Sequence, residues 1–187
     1  MMEEDLFMIC CVTGHRPKGF PFVREETDLI FTIYTGILYH EIENLINEGY
    51  THFITGMAEG ADMDFAKAVI DLRFKFNNIS LEAALPYPLS VPKRKTPQSE
   101  ERGGILLECD SKHMVSPYYH RGCMQKRNQY MVDKSDMVLA IWNGKNEGGT
   151  WNTIKYAQSV NKPIKYIMLN EIETEFFSQK DVSKREL

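Results

Sequence analysis

Long apolar runs are missing from this chain. The longest, Leu6–Val12, falls far short of the roughly 20 residues a helix needs to cross a bilayer, so no membrane span is expected. A basic leader is missing as well. The chain opens Met1-Met2-Glu3-Glu4-Asp5, acidic where a secretory signal is basic, and a cytoplasmic protein is expected. Paired cysteines are absent: of the four, Cys10 and Cys11 are adjacent within an apolar run, while Cys109 and Cys123 stand alone. That spacing suits neither a disulfide framework nor structural zinc and predicts buried free thiols. No metal site and no cofactor is expected. An excess of positive charge is also lacking, since 22 Lys+Arg stand against 26 Asp+Glu for a net −4. A protein that coats nucleic acid is thereby disfavoured.

What is present describes an ordinary globule of 187 residues, 43% hydrophobic and 26% charged, enough for one domain with a sizeable core. The charge is uneven. Residues 1–85 carry 6 basic and 14 acidic side chains, residues 86–135 carry 9 and 5, and residues 136–187 carry 7 and 7. A basic middle in an acidic chain fits a local anion site better than a long nucleic-acid track, or else a solvated surface.

Hydrophobic periodicity alternates between strand and helix throughout. Strands are expected at Phe7–Val12, His52–Thr55, Ser80–Leu85, Lys112–Val115, Met137–Trp142 and Pro163–Leu169. Helices are expected at Glu25–Glu48, Asp62–Phe74, Ser99–Cys109, Gly122–Lys134 and Gly148–Val160. Phe65, Ala66, Val69, Ile70 and Phe74 should form one face of the second helix, and Gly103-Gly104 weaken the third. There is no internal repeat and no low-complexity segment. The order predicts a single α/β domain over residues 1–170, a Rossmann-like doubly wound, mostly parallel sheet with helices on both faces. Residues 171–187 read as a charged C-terminal tail that frays or adds one short helix.

In such sheets ligands bind beyond the carboxyl ends of the strands, which selects three loops. They are Thr13-Gly14-His15-Arg16-Pro17, then Thr55-Gly56-Met57-Ala58-Glu59-Gly60-Ala61-Asp62, then Gly148-Gly149-Thr150-Trp151-Asn152-Thr153. Glycine lets backbone N–H groups approach a ligand, and a helix start offers unpaired donors at a positive dipole end. Together these make phosphate cradles, although each glycine alone also suits a plain turn. Arg16 adds a planar cation. His15 suits donation to a ligand, acid or base work, or bracing of its loop. Glu59 and Asp62 suit ribose hydroxyls, and Asp62 equally suits helix capping. Arg127 and Asn128, early on their helix, place a guanidinium and an amide near the strand ends. Lys93-Arg94-Lys95 is a charge run that suits a solvated loop, and Trp151 is the tryptophan placed to stack on a base.

These segments, read in order with Gly122-Cys123-Met124-Gln125-Lys126-Arg127-Asn128-Gln129-Tyr130-Met131-Val132-Asp133 between the second and third, resemble the YpsA-like (DUF1273) branch of the SLOG superfamily. That superfamily joins the DNA-processing protein DprA to the LOG cytokinin-activating hydrolases. The resemblance runs from about residue 7 to 168. It implies a Rossmann-like fold that binds nucleotides or nucleotide-derived ligands, and a homodimer or higher homo-oligomer. Arg127 falls where LOG hydrolases keep a catalytic arginine. Their glycine-rich loop, however, continues G-G-x-G-T-x-x-E, and here Thr153 or, in the other alignment, Lys155 occupies the place of that glutamate.

The reading that follows is a binding protein for a small anionic nucleotide or nucleotide-derived ligand, a signalling nucleotide or an ADP-ribose-type molecule, acting as sensor or sponge. The expected binding residues are Thr13, Gly14, His15, Arg16, Pro17, Gly56, Met57, Ala58, Glu59, Gly60, Asp62, Arg127, Asn128, Gly148, Gly149, Thr150, Trp151 and Thr153. The alternative is a phosphoribohydrolase or nucleotide glycohydrolase with Arg127 and Glu59 as catalytic candidates. A third is DprA-like single-stranded DNA binding, against which the net negative charge argues.

Overall fold

A computed structural model describes residues 7–25, 28–88 and 96–183. Six strands, β1 Met8–Gly14, β2 Tyr50–Thr55, β3 Ser80–Leu85, β4 Ser111–Met114, β5 Met137–Trp142 and β6 Ile164–Met168, alternate with six helices. The helices are α1 Leu29–Asn47, α2 Ala61–Leu72, α3 Pro97–Glu108, α4 Cys123–Lys134, α5 Gly148–Ser159 and α6 Leu169–Ser183. The strands form one sheet in the order β4-β3-β2-β1-β5-β6, and every pairing is parallel. The chain thus winds outward from β1 to β4 and then returns to the other side of β1. The order reverses between β1 and β5, the point where doubly wound sheets open a crevice.

Alternation along the strands distributes the apolar residues between two cores. Cys10 and Val12 of β1 face a large cluster with Tyr34, Leu38 and Ile42 of α1, Phe65 and Val69 of α2, Ile105 of α3 and Ile172 of α6. Cys11, between them, faces a smaller cluster with Met131 and Val132 of α4 and Ala157 of α5. Four helices therefore cover one face and two the other. All four cysteines are buried and unpaired, and burial pushes the thiol of Cys11 up to about 12 and that of Cys109 to about 11.

The departures from the sequence expectations have local causes. The first helix starts at Leu29, because the Asp28 side chain accepts the Ile30 N–H and fixes the start there. Phe74 is 98% exposed, since α2 ends at Leu72 and the helical stripe does not extend to it. Gly103 and Gly104 sit inside a regular α3, whose start is fixed by Pro97 and a reciprocal capping pair, Thr96 and Ser99. The expected fraying or short final helix is instead 15 residues long, with Ile172 and Phe176 buried in the larger core. Lys93-Arg94-Lys95 lies outside the described residues.

The segment between β1 and α1 is held down by one buried ion pair. Arg24 donates to both oxygens of Asp64, at 2.6 and 2.7 Å, and its guanidinium lies over the rings of Phe20 and Phe31. Tyr34 donates to the same carboxylate at 3.2 Å. Burial raises the Asp64 pKa, and the adjacent Arg24 opposes that shift. Loss of Arg24 would leave a buried carboxylate without its cation, which costs about 3 kcal/mol or more. Urea denaturation of Arg24→Ala is expected to show that loss, and the Arg24→Met/Asp64→Leu double variant should recover much of it. An Arg24→Ala protein as stable as the parent would contradict the clamp.

Candidate functional site

Beyond the carboxyl ends of β1 and β5, three of the predicted segments and the start of α4 meet around one cavity of about 310 Å³. Its walls include Thr13, Gly14, His15 and Arg16 from the loop after β1, Ala58 and Asp62 before and within α2, Arg127 and Asn128 of α4, and Gly149 and Thr150 of α5. A second cavity of about 310 Å³ shares Arg16, Ala58, Met124 and Arg127 with the first and adds Gly56, Met57 and Glu59. Pro17 and Gly60 line a separate, larger groove of about 800 Å³ toward α3. Thr153 faces a small cleft between α4 and α5. Trp151 stacks on Trp142, with centroids 5.5 Å apart and planes within 10°, and Gly148 forms the left-handed turn into α5 at φ +79°.

The loops are fitted to one another by absent side chains. A Cβ on Gly14 would collide with Ala61, and one on Gly60 would meet the His15 carbonyl. The Ala61 N–H donates to that same carbonyl at 3.1 Å, so the first two loops are joined directly. Asn143, after β5, donates to the Gly19 carbonyl at 2.9 Å and ties the far side of the crevice to them.

Charge at the base of the crevice is buried. Arg127 and Asp62 are each 6% exposed, with Nη1 3.7 Å from the Asp62 Oδ2. Nη1 also donates to the Gly56 carbonyl, and the Ala58 N–H donates to Asp62 at 3.2 Å. Burial lowers the Arg127 pKa and raises that of Asp62, and in each the opposite charge of the partner works against the shift. Arg16 and Arg102 push Arg127 further down. The Arg127 Nε is buried with no hydrogen-bond partner among the described residues. Asn128 donates to the Thr153 hydroxyl at 2.8 Å, which in turn donates to the Gly149 carbonyl at 3.0 Å. That chain of bonds sets the start of α5 against α4.

Helix ends sharpen the picture. α1 and α3 begin with a side chain bonded to their first turn, whereas α2, α4 and α5, which start at this edge, have no side-chain cap. In α2 and α4 first-turn N–H groups already have backbone acceptors, Ala61 on His15, Met63 on Gly60 and Cys123 on His120, so the start of α5 is the helix end whose positive dipole best suits an anion. Among the described residues no group of three or more His, Cys, Asp or Glu is arranged to hold a metal ion.

Comparison with known proteins decides the kinship of this arrangement. The model of the YspA SLOG family, YpsA, matches residues 10–172. The chain belongs to the YpsA family of SLOG proteins. It is 23% identical over 181 residues to a UPF0398 protein of Bacillus pumilus, covering 92% of this chain and 97% of that one. It is 20% identical over 170 residues to the UPF0398 protein YpsA of Bacillus subtilis, covering 88% and 94%. To the SPbeta prophage-derived protein YoqJ of Bacillus subtilis it is 31% identical over 130 residues, covering 63% and 75%. The family match spans all four segments that line the crevice.

Several residues lining the crevice were not legible in the sequence. Leu85, Pro86 and Tyr87 end β3 and line the second cavity, and the strand-end rule that selected three loops applies to them as well. Met124 separates the two cavities, one turn before Arg127, where a helical apolar residue reads as core. Arg102 reaches the second cavity from α3 and carries no local signal, because its place depends on how α3 packs.

The His15 ring gives the first test of the site's electrostatics. Burial lowers its pKa from 6.5, Lys145 lowers it further, and Asn143 opposes them. The ring is therefore neutral at pH 7. A bound anion favours the imidazolium, so the bound pKa should exceed the free one and affinity should rise as pH falls through that interval. NMR titration of the His15 ring is expected to give a value below 6.5 in the free protein and a higher one with a nucleotide present. A free value above 6.5 would contradict the assignment.

Proposed function

We propose that the crevice binds a small anionic nucleotide or nucleotide-derived ligand and holds it without turning it over, so that the protein acts as a sensor or a sponge. The observation that carries this reading is Arg127, a buried arginine whose Nε has no hydrogen-bond partner among the described residues. Keeping an arginine nearly dry, with like charges on Arg16 and Arg102 working against it, costs free energy that an incoming anion offsets. Backbone N–H groups at the start of α5 would take a phosphate, Arg16 and Arg127 would neutralise it, and Asn128 or Asp62 would face sugar hydroxyls.

Gly149 supports the same reading. It has an ordinary φ, and a Cβ added there would meet nothing within 4 Å, so the fold makes no demand for glycine. Close approach of a phosphate does make one. Gly149→Val is expected to fold normally and to lose nucleotide binding in calorimetry, because the side chain takes the space of the phosphate. Unchanged affinity in the folded variant would remove the phosphate from α5. Arg16→Lys should weaken binding by roughly 1–3 kcal/mol, since lysine does not reproduce a planar charged contact.

A hydrolase is the second reading, favoured by Glu59, which lines the second cavity together with Arg127. Cleavage of an N-glycosidic bond builds positive charge on the sugar, which glycosidases meet with carboxylates. Thr153, where LOG relatives keep a glutamate, is neutral and its hydroxyl is bonded to Asn128 and Gly149. Asp62 is engaged by Arg127 and Ala58. Chromatography after long incubation with nucleoside monophosphates, NAD or ADP-ribose is expected to show no multiple turnover. Free base released by catalytic amounts of protein, and abolished by Glu59→Gln, would establish the hydrolase.

A further inference from the structure

The second cavity differs in chemistry from the first. Its lining includes Leu85 at the end of β3, Pro86 and Tyr87 just after it, and Arg102 of α3. Arg16 and Arg127 stand at the boundary it shares with the first cavity. Glu59 is the acidic side chain on its wall. Three guanidiniums therefore surround a space with one carboxylate.

Arg102 is half-buried and makes no ion pair or side-chain hydrogen bond among the described residues. Its neighbour Glu101 turns away to pair with Lys67 at 2.6 Å, leaving Arg102 on the cavity side. Its charge is felt at Arg127, whose pKa it lowers. Like charges gathered beside apolar walls repel more strongly than in water, and a helix surface offers many sites where Arg102 would avoid that repulsion. A structural role does not explain the placement, whereas an anion between the three guanidiniums does. Each cavity alone lies at the lower end of the range for ligand sites, roughly 300–1,000 Å³, so a ligand larger than one phosphate and one sugar would occupy both.

We infer that Arg102, by its juxtaposition with Arg16 and Arg127 across the second cavity, binds a second phosphate, so that the ligand class is a nucleoside diphosphate or diphosphate-linked nucleotide in preference to a monophosphate. This rests on the reading of the crevice as a nucleotide site. The first phosphate lies at the start of α5 and the second beyond Arg16, within the arginine trio. Arg102 is then a specificity-determining residue. Its loss should weaken diphosphates selectively, whereas a residue that merely supports the loops would weaken both classes together.

The test is calorimetry of the wild type and of Arg102→Gln with the four ribonucleoside monophosphates and their diphosphates, with circular dichroism to check the fold. The wild type is expected to bind its best diphosphate about ten-fold more tightly than the matching monophosphate, the effect of one charge-assisted contact. Arg102→Gln should bring that ratio to about one, the larger loss falling on the diphosphate. A ratio unchanged in Arg102→Gln, or an equal loss for both classes, would overturn the role of Arg102 and leave the nucleotide site standing. Failure of the wild type to bind any of the eight probes would overturn the nucleotide reading itself.

Discussion

Arg127 and Asp62 come from helices on opposite faces of the sheet and meet just past its carboxyl edge. Over most of the molecule the sheet separates those layers, as the two apolar clusters around Cys10 and Cys11 show. At the β1–β5 reversal the strands end, and the layers are joined by a buried charge pair rather than by packing. Desolvating each ion costs several kcal/mol. That cost is offset by the partner, by the Gly56 carbonyl on Arg127 and by the Ala58 N–H on Asp62. The contacts account for Nη1 and the carboxylate but leave Nε without a partner. The crevice is thus built in advance, with charge already stripped of water. Such preorganisation favours binding because little remains to be ordered when the ligand arrives.

The fold was largely readable from the sequence because its signals are local. Alternation in β1, the period of α1 and the glycine stops define elements within a few residues, and the β–α order dictates a parallel sheet. Errors arose where a signal was not local. Phe74 continued a helical stripe past the turn that ends α2, and the final helix is stabilised by Ile172 and Phe176 docking on a core assembled from distant segments. In the crevice, Gly14, Arg16, Gly56, Asp62, Arg127 and Gly149 were legible because strand ends and helix starts carry recognisable residues. Arg102 was not, since its relevance depends on how α3 packs against the end of β3, whereas Tyr87 follows a strand end to which the same rule applies.

The groups gathered in the crevice bear on the proposed choice between holding a nucleotide and cleaving one. The groups that converge are cations and backbone N–H donors, which suit a phosphate in its ground state. The carboxylate nearest to Arg127 is already paired with it, and the hydroxyl of Thr153 is committed to Asn128 and Gly149. The exposed Glu59 is the remaining acid on the wall of the second cavity. Stabilising a developing sugar cation needs negative charge on the other side of the bond, and this crevice concentrates the opposite sign.

The central claim is spatial, so an amide-resolved titration tests it most directly. Nucleotide added to isotopically labelled protein is followed through its 1H–15N spectrum. The account predicts saturable shifts confined to the residues that line the two cavities, 13–16, 56–62, 85–87, 102, 124–128 and 148–153, with the amides of Gly149 and Thr150 among the largest. Saturable shifts centred elsewhere, on the α1–α6 face or along β4, would contradict it, and so would a spectrum that nucleotide leaves unchanged.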